Sequence, residues 1–228
     1  MKSKGSGFFW PSFTDLMTSM FFIMLVLFVL SYARLKIKVD DLDKKLRVYN
    51  LVEENLKPLK KDSTFFVYEN EFKRFTLAFS VKFERGKYNL TPNELVDYSI
   101  SLSKIDEAGR KLKNVINNLA QERAQRPELA NVSYLLIISG YSSNLGDDQM
   151  FNDYRLSYNR ALSLWDRWRF IGIDFETNNY KGLIDLQISG NGRGGVGRFD
   201  RDPDSGFINE AKNQRFIIQI VPKIGDTK

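Results

Sequence analysis

The sequence predicts a single N-terminal transmembrane helix, a coiled-coil linker and then an α+β domain built on a mixed sheet in the order β-α-β-α-β-β. Three observations predict this fold class. An apolar run of membrane-spanning length lies near the N-terminus, a nearly heptad pattern follows it, and strand and helix periods alternate in the rest of the chain. We place the segments at residues 1–11 (N-terminus), 12–32 (transmembrane helix), 33–62 (linker) and 63–228 (α+β domain).

The composition excludes several classes of active site. The 228 residues include no Cys and no His, and the formal net charge is +6. Disulfides, thiol nucleophiles, His-dependent triads and zinc hydrolase sites are therefore excluded. No paired-carboxylate motif stands out, so we predict a protein that is not an enzyme and that binds no cofactor or metal. The basic excess flanks the apolar run, which favours a membrane surface over nucleic acid as the partner.

The membrane helix is predicted between Pro11 and Tyr32. Leu16 to Leu30 holds thirteen large apolar residues, interrupted by Thr18 and Ser19, and about 20 predominantly apolar residues cross a bilayer. The run is longer than the apolar core of a signal peptide and no small-residue cleavage site follows it, so we expect a retained anchor. Basic residues on both sides leave its orientation open.

Asp15 is the acidic residue inside this predicted helix. Lipid favours the neutral form of a carboxyl group, and ionisable residues in membrane helices usually serve ion pathways. The alternative is a solvated residue at the membrane interface, about one turn into the helix. There its negative charge would interact favourably with the positive N-terminal end of the helix dipole. Position alone leaves both interpretations open.

The segment after the span has apolar residues at spacings of three and four, which is nearly a heptad seam. The seam residues are Leu35, Val39, Leu42, Leu46, Tyr49, Val52, Leu56 and Leu59. This pattern predicts a parallel dimer, and the alternative is one amphipathic helix packed on its own domain. Pro58 should end the helix near Leu56.

The remaining chain shows strand and helix periods in turn. The first strand alternates apolar and polar residues, which predicts one buried face. A Gly-rich segment near residues 190–206 is expected to be a long, flexible loop. The predicted elements are strand Arg74–Phe83, helix Leu102–Leu119, strand Val132–Ser139, helix Leu156–Trp168, strand Leu183–Ser189 and strand Arg215–Val221.

The stretch from Trp10 to Phe22, WPSFTDLMTSMFF, resembles the membrane motif of the flagellar stator B-subunit family, which is MotB-like. The ion-carrying aspartate of that family matches Asp15. The resemblance implies a cytoplasmic N-terminus, and hence a single-pass protein of the cell inner membrane with a periplasmic C-terminal domain.

Residues 70–222 are similar to the OmpA-like, peptidoglycan-binding fold. The similarity is carried by Val81-Lys82-Phe83 with Asn89-Leu90-Thr91-Pro92, by Ile138-Ser139-Gly140-Tyr141, by Leu156-Ser157-Tyr158-Asn159-Arg160-Ala161 and by Asn213-Gln214-Arg215-Phe216-Ile217. It implies a peptidoglycan site at Tyr141, Ser143, Asn152, Asp153, Leu156 and Arg160. Arg160 can offer a bidentate fork to a peptide-stem carboxylate, and its alternative role is a salt bridge on the helix surface.

One departure from the family concerns the aspartate that pairs with the diaminopimelate amino group, because Ser143 stands at its position. Asp147 or Asp148 could replace the missing carboxylate. The resemblance therefore implies peptidoglycan binding with altered detail.

Within this superfamily the chain is most similar to the B-subunit (ZorB) of the Zorya anti-phage defence system. That resemblance implies a proton-driven rotary motor in which a parallel dimer of this chain threads a ring of multi-span A-subunits (ZorA/MotA-like), five A to two B. It implies no direct contact with nucleic acid. The alternatives are a flagellar-type MotB stator subunit and a non-conducting membrane anchor tethered to peptidoglycan.

Overall fold

The computed structural model of the chain describes residues 9–61, 63–143, 150–199, 210 and 212–224. The chain divides into two compact units, Met1–Arg47 and Val48–Lys228. Helix α1 (Phe9–Asn55) begins in the first unit and ends in the second.

The first unit, in its described part, is the N-terminal portion of α1. From Phe13 onward this helix is long and apolar enough to cross a membrane, as judged by length and composition. Its apolar side chains are exposed in the single chain, including those of Leu35, Val39, Leu42 and Leu46 in the predicted seam. An Asp41–Lys45 ion pair at i,i+4, with a separation of 2.8 Å, supports the polar part of the helix.

The C-terminal end of α1 and the short helix α2 (Lys57–Lys61) belong to the core of the second unit. Val52, Leu56 and Leu59 are buried there. The predicted coiled-coil seam is therefore wrong from Val52 onward, because these residues pack on their own domain. For the seam between Leu35 and Tyr49, the dimer stays a prediction. Helix α1 ends at Asn55, close to the predicted end.

The sheet has five strands in the spatial order β1-β2-β5-β3-β4. Only the β3–β4 pair is parallel among the four described strand pairs, and the other three are antiparallel. The strands are β1 (Phe66–Glu69), β2 (Arg74–Leu77), β3 (Val132–Gly140), β4 (Ile184–Gly190) and β5 (Phe216–Ile224). The mixed α+β fold predicted from sequence is confirmed.

Helices α3 (Tyr98–Gln125) and α4 (Met150–Phe170) cover one face of the sheet. Alternate residues of β3 are fully buried on that face, as the strand period requires. The indole Nε1 of Trp168 donates to the carbonyl of Ile105 at 2.9 Å. A Cβ on Gly109 would come within 2.5 Å of that indole ring, so glycine sets the close approach of α4 to α3.

The first predicted strand differs from the observed structure. The chain forms an additional strand, β1, and β2 ends at Leu77. Phe83 instead makes an isolated bridge with Leu95. The expected single buried face is also wrong for β2, since Arg74 and Thr76 are buried together with Phe75. Arg74 is buried because it forms polar contacts with Glu69 and Tyr141.

Candidate functional site

Helix α4 lies directly against the C-terminal ends of the parallel strands β3 and β4. Gly140 and Gly190 are register partners at those ends. A Cβ on Gly140 would lie 2.0 Å from the carbonyl oxygen of Ser157, and one on Gly190 would lie 2.4 Å from the amide nitrogen of Tyr158. Only glycine fits where two backbones approach so closely. These two glycines therefore allow α4 to pack against the ends of β3 and β4, and this packing positions the side chains of α4.

Ser157 completes this junction. Its hydroxyl donates to the carbonyl of Tyr154 at 2.9 Å and accepts from the backbone N–H of Gly192 at 2.8 Å. The loop that follows β4 is thus attached to the middle of α4 through a fully buried serine.

A cavity of about 390 Å³ opens beside this junction. Five of the six residues predicted for peptidoglycan binding line it: Ser143, Asn152, Asp153, Leu156 and Arg160. The structure brings these side chains together, and their role in binding stays a prediction. The other lining residues were not predicted from sequence: Arg85, Gly86, Tyr88, Arg155, Asn159, Arg193 and Gln214.

Tyr141 does not line this cavity. Its side chain is buried and its hydroxyl accepts from Nη1 of Arg74 at 3.1 Å. The guanidinium carbons of Arg74 and Arg215 lie 5.8 and 5.6 Å from its ring centroid, within cation–π range. Tyr141 therefore lies among the arginines beside the cavity, and its predicted role in peptidoglycan binding stays a prediction.

Arg160 is a buried cation, with only 3% of its surface exposed. Its Nε donates to the carbonyl of Lys87 at 3.1 Å, and its guanidinium carbon lies 4.5 Å from the centroid of Phe83. Nη1 is buried and has no hydrogen-bond partner among the described residues. Burial lowers the pKa of Arg160 to about 10, and the charge of Asp153 opposes that shift. The alternative of a salt bridge on the helix surface is wrong, because the side chain is buried.

Asp153 is the one acidic side chain among the described residues that line the cavity. It forms an ion pair with Arg193, whose Nε donates to Oδ2. Ser143 accepts a hydrogen bond from Nε2 of Gln214 at 2.9 Å. Asp147 and Asp148, the predicted substitutes for the missing carboxylate, lie outside the described residues.

Three arginines hold the Gly-rich loop that carries Arg193. Arg74 donates to the carbonyl of Val196 at 2.9 Å, Arg215 donates to that of Gly197, and Arg198 donates to that of Ser142 at 2.9 Å. The part of this loop up to Phe199 is thus anchored by hydrogen bonds, whereas the sequence predicted a flexible segment. Positive φ angles of 85° at Gly195 and 73° at Gly197 account for the glycines there.

Glu69 connects two of these arginines. Its carboxylate accepts from Nε of Arg74 at 2.6 Å and from Nη1 of Arg215 at 2.7 Å. Sequence reasoning missed this residue because it lies 146 positions from Arg215, and only the pairing of β1, β2 and β5 brings them together.

Asp15 lies in α1, close to the start of the helix part that could span a membrane. Its side chain is exposed in the single chain. Thr18 and Ser19 follow three and four positions later, so the helix period places all three polar side chains on one face. The hydroxyl of Thr18 donates a hydrogen bond to the carbonyl of Thr14 at 2.7 Å. The hydroxyl therefore has a hydrogen-bond partner inside an apolar segment.

No protein-family model matches the chain, and no curated protein does. Among solved structures it is similar to a MotB-like protein from Desulfovibrio vulgaris (13% identity, 81% of this chain and 94% of the other, TM-score 0.39). It is also similar to the periplasmic domain of MotB from Helicobacter pylori (16%, 70% and 89%, 0.34). A third match is the OmpA-like domain of FopA1 from Francisella tularensis (19%, 71% and 82%, 0.34). At these identities and scores the similarities assign no function to the chain.

Proposed function

We propose that this chain is the wall-anchored B-subunit of an ion-driven rotary motor in the cell inner membrane, and that the motor serves Zorya-type anti-phage defence. The observation that carries the proposal is one carboxyl group in an apolar helix, Asp15, on the same chain as a domain whose cavity contains Arg160, a buried cation with no hydrogen-bond partner for its Nη1 among the described residues. The first group can carry an ion, and the second can hold an anionic wall peptide.

The membrane part of the proposal rests on the polar face formed by Asp15, Thr18 and Ser19. Within lipid this face needs a protein partner, because an exposed carboxyl there costs a few kcal/mol. A ring of multi-span A-subunits would supply that partner, with two copies of this chain inside a ring of five. The motif WPSFTDLMTSMFF and its resemblance to the stator family support this arrangement.

In the proposed mechanism, protons enter from the periplasm and load onto Asp15. The neutral carboxyl can move against an apolar ring wall, and release of the proton to the cytoplasm restores the charge. Alternate loading of the two copies turns the ring. The α+β domain, bound to peptidoglycan in the periplasm, holds this chain still, so that rotation passes to the A-subunits and from them to the defence effectors.

The wall part rests on Arg160. A guanidinium with an unsatisfied, buried Nη1 is stabilised when a carboxylate oxygen reaches it, since charge-assisted hydrogen bonds are about twice as strong as neutral ones. A peptide stem of peptidoglycan ends in such carboxylates. The cavity of about 390 Å³ has room for the end of one stem.

The membrane proposal is tested by Asp15→Asn, which keeps the shape and hydrogen bonding of the side chain but cannot ionise. We expect intact assembly with the A-subunit, loss of proton flux measured with a pH reporter, and loss of protection against phage. Ser19→Ala, which removes a neutral polar group from the same face, is the matched control and should retain most of the protection. Full protection in Asp15→Asn would remove the ion-carrier role.

The wall proposal is tested by Arg160→Met in the full chain. Pull-down by purified sacculi should fall about tenfold, in line with the loss of a charge-assisted pair. The unfolding midpoint should not fall, because the substitution removes a buried charge whose Nη1 has no hydrogen-bond partner among the described residues. Arg110→Ala, at an exposed pair with Glu107, is the control and should bind normally. Equal binding by Arg160→Met and wild type would refute the site.

The non-conducting tether is the second candidate, and the position of Asp15 favours it. Asp15 is only six residues from the first residue of α1, so that it could lie in the solvated interface of the membrane. A tether predicts that Asp15→Asn protects like wild type while Arg160→Met does not. A flagellar-type role predicts that the Asp15→Asn effect is on motility and that phage protection is unchanged.

A further inference from the structure

One side of the cavity is formed by a loop, residues 84–94, which we call the cavity loop. Three of its residues line the cavity: Arg85, Gly86 and Tyr88. The residues on either side of the loop, Phe83 and Leu95, form an antiparallel bridge that joins its two ends. Residues 84–94 themselves form turns and bends, so the shape of the loop depends on contacts made by its own side chains and backbone.

The carboxylate of Glu94 accepts three hydrogen bonds from the middle of the cavity loop. Its Oε2 accepts from the backbone N–H of Tyr88 at 3.1 Å and from that of Asn89 at 2.8 Å, and its Oε1 accepts from Nδ2 of Asn89 at 2.9 Å. Such charge-assisted bonds are stronger than neutral ones. They lower the pKa of Glu94, and the hydrogen bond from the side chain of Asn89 is the largest cause. The carboxylate is therefore ionised at neutral pH.

The backbone of Glu94 is held as well. Its carbonyl accepts from the N–H of Glu84 at 2.9 Å, and its N–H donates to the carbonyl of Thr91 at 3.1 Å. The backbone of Glu94 is thus attached to the first residue of the cavity loop, while its side chain reaches back to the middle. One residue therefore connects the beginning, the middle and the end of the loop.

The peptide group between Lys87 and Tyr88 connects Glu94 to Arg160. Its N–H belongs to Tyr88 and donates to Glu94. Its C=O belongs to Lys87 and accepts from Nε of Arg160 at 3.1 Å. A peptide group is planar and nearly rigid, so that its N–H and its C=O turn together. Loss of the bond to Glu94 would therefore release the carbonyl that orients the guanidinium of Arg160.

We propose that Glu94 is a positioning residue of the wall-binding site. Its carboxylate holds the peptide group between Lys87 and Tyr88, and this peptide group in turn orients Arg160. The inference rests on the proposed wall-binding function. It adds a residue on which the affinity for the wall depends, although Glu94 is not among the described residues that line the cavity.

The hydrogen bonds of Glu94 predict a graded series of variants. Glu94→Ala removes all three bonds, so the cavity loop spends less time in the conformation that binds. Because affinity falls with the fraction of competent protein, we expect binding to weaken about tenfold. Glu94→Gln keeps an oxygen for the two backbone N–H groups, and its amide N–H can donate to Asn89 once the amide of Asn89 is turned over. Its binding should weaken less than about threefold.

Glu94→Asp is the complementary variant, because it keeps the charge and shortens the side chain by one methylene group. The shorter carboxylate cannot reach all three donors, so we expect a loss close to that of Glu94→Ala. Glu84→Ala is the matched control. It removes an equal charge from an exposed side chain of the same loop and should bind within about twofold of the wild type.

The experiment measures the apparent Kd of the full chain in detergent for purified sacculi, together with amide hydrogen exchange. In Glu94→Ala the amides of Tyr88 and Asn89 should exchange at least about tenfold faster than in the wild type, whereas amides of β3 should keep their rates. In Glu94→Gln the loop amides should exchange within about threefold of the wild-type rates. Exchange in β3 also shows whether each variant is folded, so the Gln and Asp variants still test the inference if Glu94→Ala does not fold.

The outcomes separate the inference from the function on which it rests. Wall binding by Glu94→Ala that equals wild type, with faster exchange at Tyr88, would overturn the positioning role and leave wall binding in place. Normal binding by Glu94→Asp with a strong loss in Glu94→Gln would also overturn it, because charge and not hydrogen bonding would then matter. Absence of sacculus binding by the wild type would overturn the wall-binding function, and the inference with it.

Discussion

Asp106 of helix α3 and Arg167 of helix α4 are joined by two parallel hydrogen bonds, Nε to Oδ1 at 2.8 Å and Nη2 to Oδ2 at 2.5 Å. This bidentate geometry is the strong form of an arginine–carboxylate pair. The pair is mostly buried, with side-chain exposures of 12% for Asp106 and 23% for Arg167. It links the two helices that cover the sheet, and α4 in turn carries the cavity.

Asp106→Ala should therefore destabilise the second unit by about 2 kcal/mol, because the guanidinium of Arg167 loses its partner while most of its burial remains. The measurement is the denaturant midpoint of the full chain. Glu107→Gln, one position later, breaks an exposed pair with Arg110 of 3.3 Å and should cost less than about 0.5 kcal/mol. Equal effects of the two changes would show that the Asp106–Arg167 pair contributes no more than a surface pair.

Gly140→Ala is expected to be among the most damaging single changes in the domain. Its Cβ would lie 2.0 Å from a backbone carbonyl of α4, and backbone cannot move aside as a flexible side chain can. We expect a loss of at least about 3 kcal/mol, or displacement of α4, as for other overpacked positions. Sacculus binding should fall in parallel.

Gly182→Ala separates steric overlap from backbone strain. Gly182 has a φ of +72° and nothing within 4 Å of an added Cβ, so only the left-handed conformation is penalised, at about 1 kcal/mol. Similar losses for Gly140→Ala and Gly182→Ala would contradict the close approach of α4 to β3.

Glu69→Gln tests the support of the Gly-rich loop. The carboxylate neutralises part of the charge of Arg74 and Arg215, and its removal leaves two neighbouring cations, of which Arg74 is buried and Arg215 is mostly buried. We expect a loss of about 3 kcal/mol and faster amide hydrogen exchange across residues 192–199, which these arginines anchor.

The control for this change is Glu71→Gln, which removes an equal charge two positions later on an exposed side chain. Its effect should stay within about 0.5 kcal/mol. If the loop amides exchange hydrogen at the same rate in Glu69→Gln and in the wild type, the arginines hold the loop without this carboxylate.

The half of the cavity on α4 could be predicted from sequence because helix spacing brings its residues together. Asp153, Leu156 and Arg160 are separated by three and four positions and share one face. The other half comes from remote segments: Arg85 precedes α3, and Arg193 follows β4. No local period connects them, so only the sheet pairing determines that they meet.

Tyr141 shows a second limit of sequence reasoning. The sequence places it two positions before Ser143, but its ring centroid lies 5.8 Å from the guanidinium carbon of Arg74 in β2 and 5.6 Å from that of Arg215 just before β5. Burial of Arg74 inside a strand also contradicts simple alternation, since the carboxylate that stabilises it comes from β1. Polar residues that satisfy each other across strands cannot be recognised from hydrophobic patterning alone.

Tyr134 gives a pH-dependent prediction. It is fully buried in β3, and its hydroxyl has no hydrogen-bond partner in the part of the chain that the structure describes. Burial raises the pKa of Tyr134 to about 12, against about 10 in an unfolded chain. The folded state thus favours the neutral phenol, so stability is unaffected below about pH 10 and is lost as the pH rises from 10 towards 12, by about 2 kcal/mol in total.

Tyr134→Phe should remove the loss of stability that this phenol causes above about pH 10. It should also stabilise the domain at pH 7 by about 1 kcal/mol, because it eliminates an unsatisfied buried hydroxyl. The measurement is the difference in unfolding free energy between variant and wild type from pH 7 to 11.5, which cancels the titration of other groups. The gap should widen above pH 10. Tyr180→Phe is the contrasting variant, because the hydroxyl of Tyr180 donates to Asn117 at 2.7 Å and its loss should destabilise at pH 7. A constant gap for Tyr134→Phe across the whole range would mean that this hydroxyl is solvated in the folded protein.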